Sequence, residues 1–270
     1  MELATQGLSR PRDAWHWRLL ATALSFLLFG LGGLCLRLLV FPLLACLPGD
    51  RVRHRERARH TISWLFWRFI RFMAACGVLT YSVEGAARLG RPGQMIIANH
   101  PSLIDVVFLI GLVRQSNCVV KQSLFRNPFT RGPVSSAQYI SNDGSMDMLD
   151  TAVQSLQSGQ TLVIFPEGTR TEPGKAPAFH RGAAAIALRG ARVITPVTIK
   201  VSPTTLTKCE PWYRIPDRRV HFSLRVGSDI DPRAFASQGP APQASRKLND
   251  HLHQYFIKEL AEDEQSPTEP

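Results

Sequence analysis

The pattern of apolar and polar positions divides the chain into a membrane-like beginning and a globular remainder. Residues 1–18 are short and mixed, and are expected to be poorly ordered at first. From Leu19 to Leu36 there is no charged residue. A helix of that length spans about 27 Å, close to the ~30 Å hydrocarbon core of a bilayer. Apolar character resumes after Arg37 and runs from Leu38 to Leu47, with Pro42 leaving room for a bend. The run is long for a signal peptide and no small-residue cleavage site follows it, so a retained anchor is expected. Residues 51–79 read as a second helix. It carries Trp64, Leu65, Trp67, Phe69, Ile70, Phe72 and Met73, interrupted by Arg68 and Arg71. A basic, aromatic-rich helix of this kind suits the lipid headgroup region or packing on its own domain.

A different pattern begins near Leu79. Short apolar strands are expected over 81–85, 95–98, 117–121, 139–140, 161–165, 193–201 and 220–226. Helical spacing is expected over 103–112, 148–156 and 181–188, with loops at Asn127-Pro128, Gly132-Pro133 and Asn142-Asp143-Gly144. Strands alternating with helices predict an α/β fold, a mixed, mostly parallel sheet flanked by helices, preceded by N-terminal membrane-associated helices. Residues 236–245 read as a linker. A final helix places Leu248, Leu252, Tyr255, Phe256 and Leu260 on one docking face. Residues 262–270 are acidic and are expected to be disordered. The expected division is residues 1–78 for the anchor and interfacial helix, 79–235 for the α/β domain, and 236–270 for linker, helix and tail.

Charge sharpens the picture. The 270 residues carry a formal net charge of +11, which favours anionic partners. Arg51, Arg53, Arg55, Arg57 and Arg59 lie just after the apolar run, so the expected partner is membrane lipid. No nucleic-acid motif is recognisable, and nucleic acid is not expected. Were the first run to span, the positive-inside tendency would put the C-terminal side in the cytoplasm. Localisation is therefore expected at the cytoplasmic (inner) membrane, with the domain on the cytoplasmic side. The five cysteines are odd in number and form no C-x-x-C pair, against a disulfide framework or zinc site. Cys35, Cys46, Cys76 and Cys118 lie in apolar surroundings and are expected to be buried thiols.

Two stretches carry chemistry. In Asn99-His100-Pro101-Ser102-Leu103-Ile104-Asp105, a His follows a buried strand and an Asp follows one turn into the next helix, with Pro101 suited to a first helical position. Ligands of open α/β sheets bind at the carboxyl ends of strands, where a carboxylate can fix an imidazole's tautomer and stabilise its cation. A capping His and a first-turn Asp favouring the helix dipole would give the same pattern. In Phe165-Pro166-Glu167-Gly168-Thr169-Arg170, Gly168 permits an unusual turn and Arg170 offers a planar fork for phosphate oxygens. Glu167 is placed to accept from a hydroxyl or to hold Arg170; a surface Glu–Arg pair is the plainer alternative. No nucleophile elbow, P-loop or H-E-x-x-H motif is present. His180, close to the second stretch, reads as solvent-exposed.

Together the two stretches resemble the glycerolipid acyltransferases, in particular the 1-acylglycerol-3-phosphate (lysophospholipid) acyltransferase family. That family carries a His, four residues and an Asp in its first motif, and Phe-Pro-Glu-Gly-Thr-Arg or a close variant in its third. Its fourth motif, a Pro in or after a buried strand, is matched by Val193-Ile194-Thr195-Pro196-Val197. The resemblance covers residues 80–205. It departs in the second motif, which usually ends in a basic residue and here reads Gln138-Tyr139-Ile140-Ser141-Asn142-Asp143. Lys121 or Arg126 is then the expected source of the missing charge.

The resemblance implies an O-acyltransferase that moves a fatty chain from acyl-CoA or acyl carrier protein to the hydroxyl of a lysophospholipid such as 1-acylglycerol 3-phosphate. His100 is implied as general base oriented by Asp105, and Glu167, Gly168, Thr169, Arg170 and Lys121 as substrate-binding. No cofactor or metal is expected, and the sequence does not define an oligomeric state. The second-motif departure leaves two alternatives: an acceptor with another head group, such as an aminolipid or glycolipid, or a lipid-binding protein without turnover.

Overall fold

The computed structural model describes residues 13–265; the expectations for residues 1–12 and 266–270 lie outside the described residues. The first apolar run forms α1 (Trp15–Cys35), continues through a π-helical turn (Leu36–Val40), and ends as α2 (Phe41–Ala45). Pro42 has no N–H to donate and its ring crowds the preceding turn. The wider π turn just ahead accommodates that mismatch, so the chain stays helical where the sequence left room for a break.

The two faces of α1 reverse the usual order. Arg18, Ala21, Thr22 and Ser25 are buried against the protein, whereas Trp17, Leu20, Leu24, Leu27, Leu28 and Leu31 are exposed. Each set repeats every three or four residues, the spacing of one helix face. The Arg18 fork is filled by carbonyls, with Nε 2.6 Å from Asp13 O, Nη2 2.6 Å from Asp217 O and Nη1 3.1 Å from Arg218 O. Farther along, Phe26 meets Trp212, a Cβ on Gly33 would lie 2.1 Å from Phe129 O, and Arg37 donates to Pro128 O. Both ends of this helix therefore rest on the same domain.

Asp50 caps α3 (Arg51–Ala75) by accepting from the Arg53 N–H at 2.9 Å. After β1 (Leu79–Glu84) and β2 (Gln94–Ala98) comes α4 (Asp105–Leu112), which crosses α3 closely. Gly111 permits the approach, since a Cβ there would sit 3.0 Å from Trp67 N. Arg59 corrects a sequence expectation: it belongs to the basic run after the membrane segment, yet only 2% of it is exposed. It reaches into the domain and donates to Ala137 O at 2.8 Å, Gln160 Oε1 at 2.8 Å, Gln138 O and Gln115 O. Burial pushes its pKa down to about 10, so it remains cationic at neutral pH.

The remaining elements are β3 (Asn117–Lys121), α5 (Arg131–Ser136), β4 (Ile140–Asn142), α6 (Met146–Gln157), β5 (Leu162–Ile164), α7 (Gly182–Gly190), β6 (Val193–Ser202), β7 (Val220–Val226), α8 (Arg233–Ala236) and α9 (Ala241–Gln265). The seven strands form one sheet in the order β1-β7-β6-β2-β5-β3-β4, parallel at every neighbour except β6–β7. Alternation along β2 builds both cores: Ile96 and Ala98 face the α3–α4 layer, Met95 and Ile97 the α6–α7–α9 layer. Both faces are covered, as the strand–helix alternation predicts.

Several local expectations are corrected. The helix after His100 begins at Asp105 rather than near Pro101, because Asp105 Oδ2 holds the Ser102 N–H at 2.7 Å and closes a turn over residues 102–104. Gly132-Pro133 lies inside α5, where a proline in the first turn forfeits no intrahelical bond. The expected linker is helical from Ala241, and α9 docks Leu248, Leu252 and Phe256 into the core; residues 262–265, expected to be disordered, continue it. Of the four cysteines expected inside, only Cys118 is buried; Cys76 is intermediate, and Cys35 and Cys46 are exposed.

Arg59→Met should remove a donor fork from four acceptors at once. We expect a loss of about 3 kcal/mol in unfolding free energy, with Arg59→Lys intermediate, measured by denaturant titration in detergent. A loss below about 1 kcal/mol would show that water replaces the guanidinium.

Candidate active site

Parallel β2 and β5 end side by side, and the chain leaving each supplies one half of the site. The two ladders stop at Ala98 and Ile164. Beyond Ala98, the Asn99 side chain takes over from the backbone: Nδ2 donates to Ile199 O at 2.8 Å, and Oδ1 accepts from the Ile199 N–H at 2.7 Å. This fixes the exit of β2 against β6 and sets where His100 emerges.

His100 Nδ1 donates to Asp105 Oδ2 at 2.9 Å. The imidazole is 15% exposed and the carboxylate is fully buried. Phe165 covers one ring face, with ring centroids 4.4 Å apart. Among the described residues Nε2 has no partner, so it is the nitrogen left for a substrate. Burial pushes the Asp105 carboxyl above its ordinary range; the His100 hydrogen bond and charge, the Ser102 N–H and the Arg170 charge oppose that shift. An imidazole with a fixed tautomer, a buried carboxylate behind it and a free Nε2 can accept a proton and hold the resulting cation.

The second half is the turn after β5. Gly168 has φ +65°, a left-handed conformation that glycine adopts without strain, and a Cβ there would lie 3.4 Å from His180 Cδ2 and 3.9 Å from Asn142 Nδ2. Gly168 and Thr169 are exposed. Arg170 is half-buried; its Nη1 donates to Leu206 O at 2.7 Å and Thr207 O at 2.9 Å. Nε and Nη2 of Arg170 have no partner among the described residues. Glu167 does accept from a hydroxyl, one of the two roles expected of it, but that hydroxyl belongs to the protein's own Thr171. It is buried and does not pair with Arg170: Oε1 accepts from the His100 N–H at 2.9 Å, and Oε2 accepts from the Thr171 hydroxyl.

Lys121 stands exposed at the end of β3, in register with Asn142 on β4. It shares the sheet edge but makes no ion pair with the His100–Arg170 group. His180 is exposed, as expected, yet borders Gly168 and donates its N–H to Pro166 O at 2.8 Å. Sequence reasoning missed Thr171, Asn99 as a bridging side chain, and the 206–207 loop. Thr171 follows the third motif by one residue; the loop had no signal, because it is brought in by tertiary contact alone. Among the described residues no group of three or more His, Cys, Asp or Glu side chains is placed to hold a metal.

Burial pushes the Glu167 carboxyl up from 4.5 to about 7, with the Asp105 charge adding to it and the His100 N–H opposing it. Folded protein then holds this proton more tightly than unfolded chain, so Glu167 lowers stability as pH rises from 4.5 to 7, by up to roughly 3 kcal/mol. Glu167→Gln should remove this slope. The variant's thermal midpoint minus the parent's should rise from pH 5 to pH 8; a constant difference would mean that the carboxyl is solvated.

The acyltransferase family profile matches residues 81–200, which include both halves of this site. The chain is 24% identical to the 1-acyl-sn-glycerol-3-phosphate acyltransferase of Pseudomonas aeruginosa over 247 residues, covering 89% of this chain and 90% of that protein. It is 28% identical to the enzyme of the same name from Saccharomyces cerevisiae over 171 residues, 59% of this chain and 55% of the yeast protein. In three dimensions it is similar to the 1-acyl-sn-glycerophosphate (LPA) acyltransferase PlsC from Thermotoga maritima, with a TM-score of 0.72 at 19% identity, covering 93% of this chain and 98% of that one. Residues 81–200 thus carry an acyltransferase domain, and over most of its length the chain is similar to 1-acyl-sn-glycerol-3-phosphate acyltransferases, which are O-acyltransferases.

Proposed function

We propose that the chain transfers a fatty acyl group from a thioester, acyl-CoA or acyl carrier protein, to the free hydroxyl of a lysophospholipid such as 1-acylglycerol 3-phosphate. The observation that carries this reading is the 2.9 Å bond from His100 Nδ1 to buried Asp105, which leaves Nε2 open on a residue whose backbone is bonded to Glu167 and Thr171 of the loop carrying Gly168 and Arg170. Nε2 takes the acceptor's hydroxyl proton as its oxygen attacks the thioester carbonyl. Asp105 stabilises the imidazolium. The carbon–sulfur bond then breaks and the proton passes from Nε2 to the leaving thiolate. The thioester is already activated, so no acyl-enzyme is required. The Gly168–Arg170 turn, with the open donors of Arg170 and the charge of Lys121, orients the acceptor's head.

A second reading keeps the reaction and changes the acceptor. The amide of Asn142, followed by Asp143, borders Gly168 where the family's second motif ends in a basic residue. A lyso-lipid without a phosphomonoester, such as an aminolipid or glycolipid, suits that edge better. A panel of lysolipids with labelled acyl-CoA and acyl carrier protein separates the two.

We also propose that α1 lies along one leaflet, with its leucine face among acyl chains. The helix is long and apolar enough to cross a membrane. Its two ends nevertheless touch one domain, at residues 217–218 and at Pro128. A spanning helix would carry its ends to opposite sides. Small and polar residues toward protein and leucines outward is the arrangement expected for a lipid-facing helix.

His100→Ala should lower turnover by about 10²- to 10⁴-fold while the protein remains folded and is recovered with membranes; near-full turnover would remove His100 from the base role. Asp13→Cys and Arg51→Cys, each in a background without the native cysteines, should both react with an impermeant maleimide from the side that exposes the domain. Reaction from opposite sides would establish a spanning helix.

A further inference from the structure

We propose that Glu167 and Thr171 form a clamp on the His100 peptide, which makes Glu167 a positioning residue rather than an acceptor ligand. The clamp rests on the reading of His100 as the base. Only 4% of Glu167 is exposed, and both oxygens are engaged by protein donors. Oε1 accepts from the His100 N–H, Oε2 accepts from the Thr171 hydroxyl, and the Thr171 N–H donates back to His100 O at 2.9 Å. Both backbone polar groups of His100 are thus satisfied by one loop.

The placement explains the need. The β2–β5 ladder pairs only Met95–Ile97 with Leu162–Ile164, and α4 begins at Asp105. Residues 99–104 lie between those elements, and Pro101 has no N–H to contribute. On the β6 side the Asn99 side chain extends the pairing to Ile199. On the β5 side Glu167 and Thr171 do the same for His100. The peptide bearing the base is held from both neighbouring strands, as a reacting group with sub-ångström tolerance requires. At 4% exposure Glu167 presents almost no surface to a substrate hydroxyl. The charged group facing it is Asp105, and burial beside that charge holds its pKa near 7.

The test compares Glu167→Ala, Glu167→Gln and Thr171→Val in two measurements. Steady-state kinetics use the thioester and lysolipid pair with the highest turnover in the panel above; hydrogen exchange follows the peptide spanning residues 96–104. The expected result for Glu167→Ala is a kcat about 100-fold lower, with KM for both substrates within about twofold, and faster exchange at residues 100–102. Glu167→Gln keeps an acceptor for the His100 N–H and offers an amide donor to the Thr171 oxygen, so its kcat should return to within about fivefold of the parent. Thr171→Val should lower kcat about tenfold. A tenfold rise in acceptor KM at unchanged kcat in either Glu167 variant would overturn the clamp and make Glu167 an acceptor ligand. Glu167→Gln as damaged as Glu167→Ala would also overturn it. Should Glu167→Ala fail to fold, unchanged kcat and exchange in Thr171→Val would overturn it as well. Full turnover by His100→Ala is a separate result, which refutes the base reading while the exchange data still decide the clamp.

Discussion

The buried Asp105 carboxylate is the constraint around which the catalytic edge is arranged. It binds the His100 ring and the Ser102 N–H through the same oxygen. One charge therefore selects the imidazole tautomer and closes the turn that starts α4. Removing a carboxylate from water is costly unless it is paired and hydrogen-bonded. An imidazole and a backbone N–H on Oδ2 and the nearby Arg170 charge offset part of that cost, while Oδ1 has no partner among the described residues. Under the proposed mechanism this environment matters most when His100 carries the proton, because the buried carboxylate then has an opposite charge as its partner.

The same edge is also where the chain meets the N-terminal helix. Loops leaving β6 and β3 carry Trp212 and Phe129, and both touch α1. A helix with leucines outward and Arg18, Thr22 and Ser25 inward is expensive in water and economical against lipid. The domain's carbonyls satisfy Arg18. Leu103, three residues from His100, is 45% exposed on this end of the molecule. Apolar surface and proposed base therefore share one end of the sheet, a geometry suited to an amphiphilic acceptor that never leaves the bilayer.

Much of this was legible along the chain. The run Met95–Ala98 marked a central strand because a parallel sheet buries both faces of its strands, and His100 at its carboxyl end followed from where α/β sheets bind ligands. Other residues were misread for physical reasons. Arg59 follows exposed Arg51 and Arg53 and half-buried Arg55 and Arg57, and only the carbonyls of Ala137, Gln138 and Gln115 and the Gln160 amide, all far along the chain, draw it inward. Glu167 looks like half of a surface ion pair, yet one of its oxygens serves a peptide 67 residues earlier in the chain. The 236–245 stretch has the composition of a linker, but the apolar face of α9 supplies enough tertiary contact to hold helix from Ala241.

Local chemistry by itself determined the alternating strands and helices, the apolar first helix, and the two motifs that mark an acyltransferase, since each is carried by neighbouring residues and a short period. Tertiary structure alone decided that α1 lies against its domain, that the 206–207 carbonyls engage Arg170, and that Glu167 with Thr171 holds the His100 backbone. Those outcomes depend on groups far apart in sequence competing for the same donors and acceptors. No local pattern records which competitor lies within 3 Å once the sheet has formed.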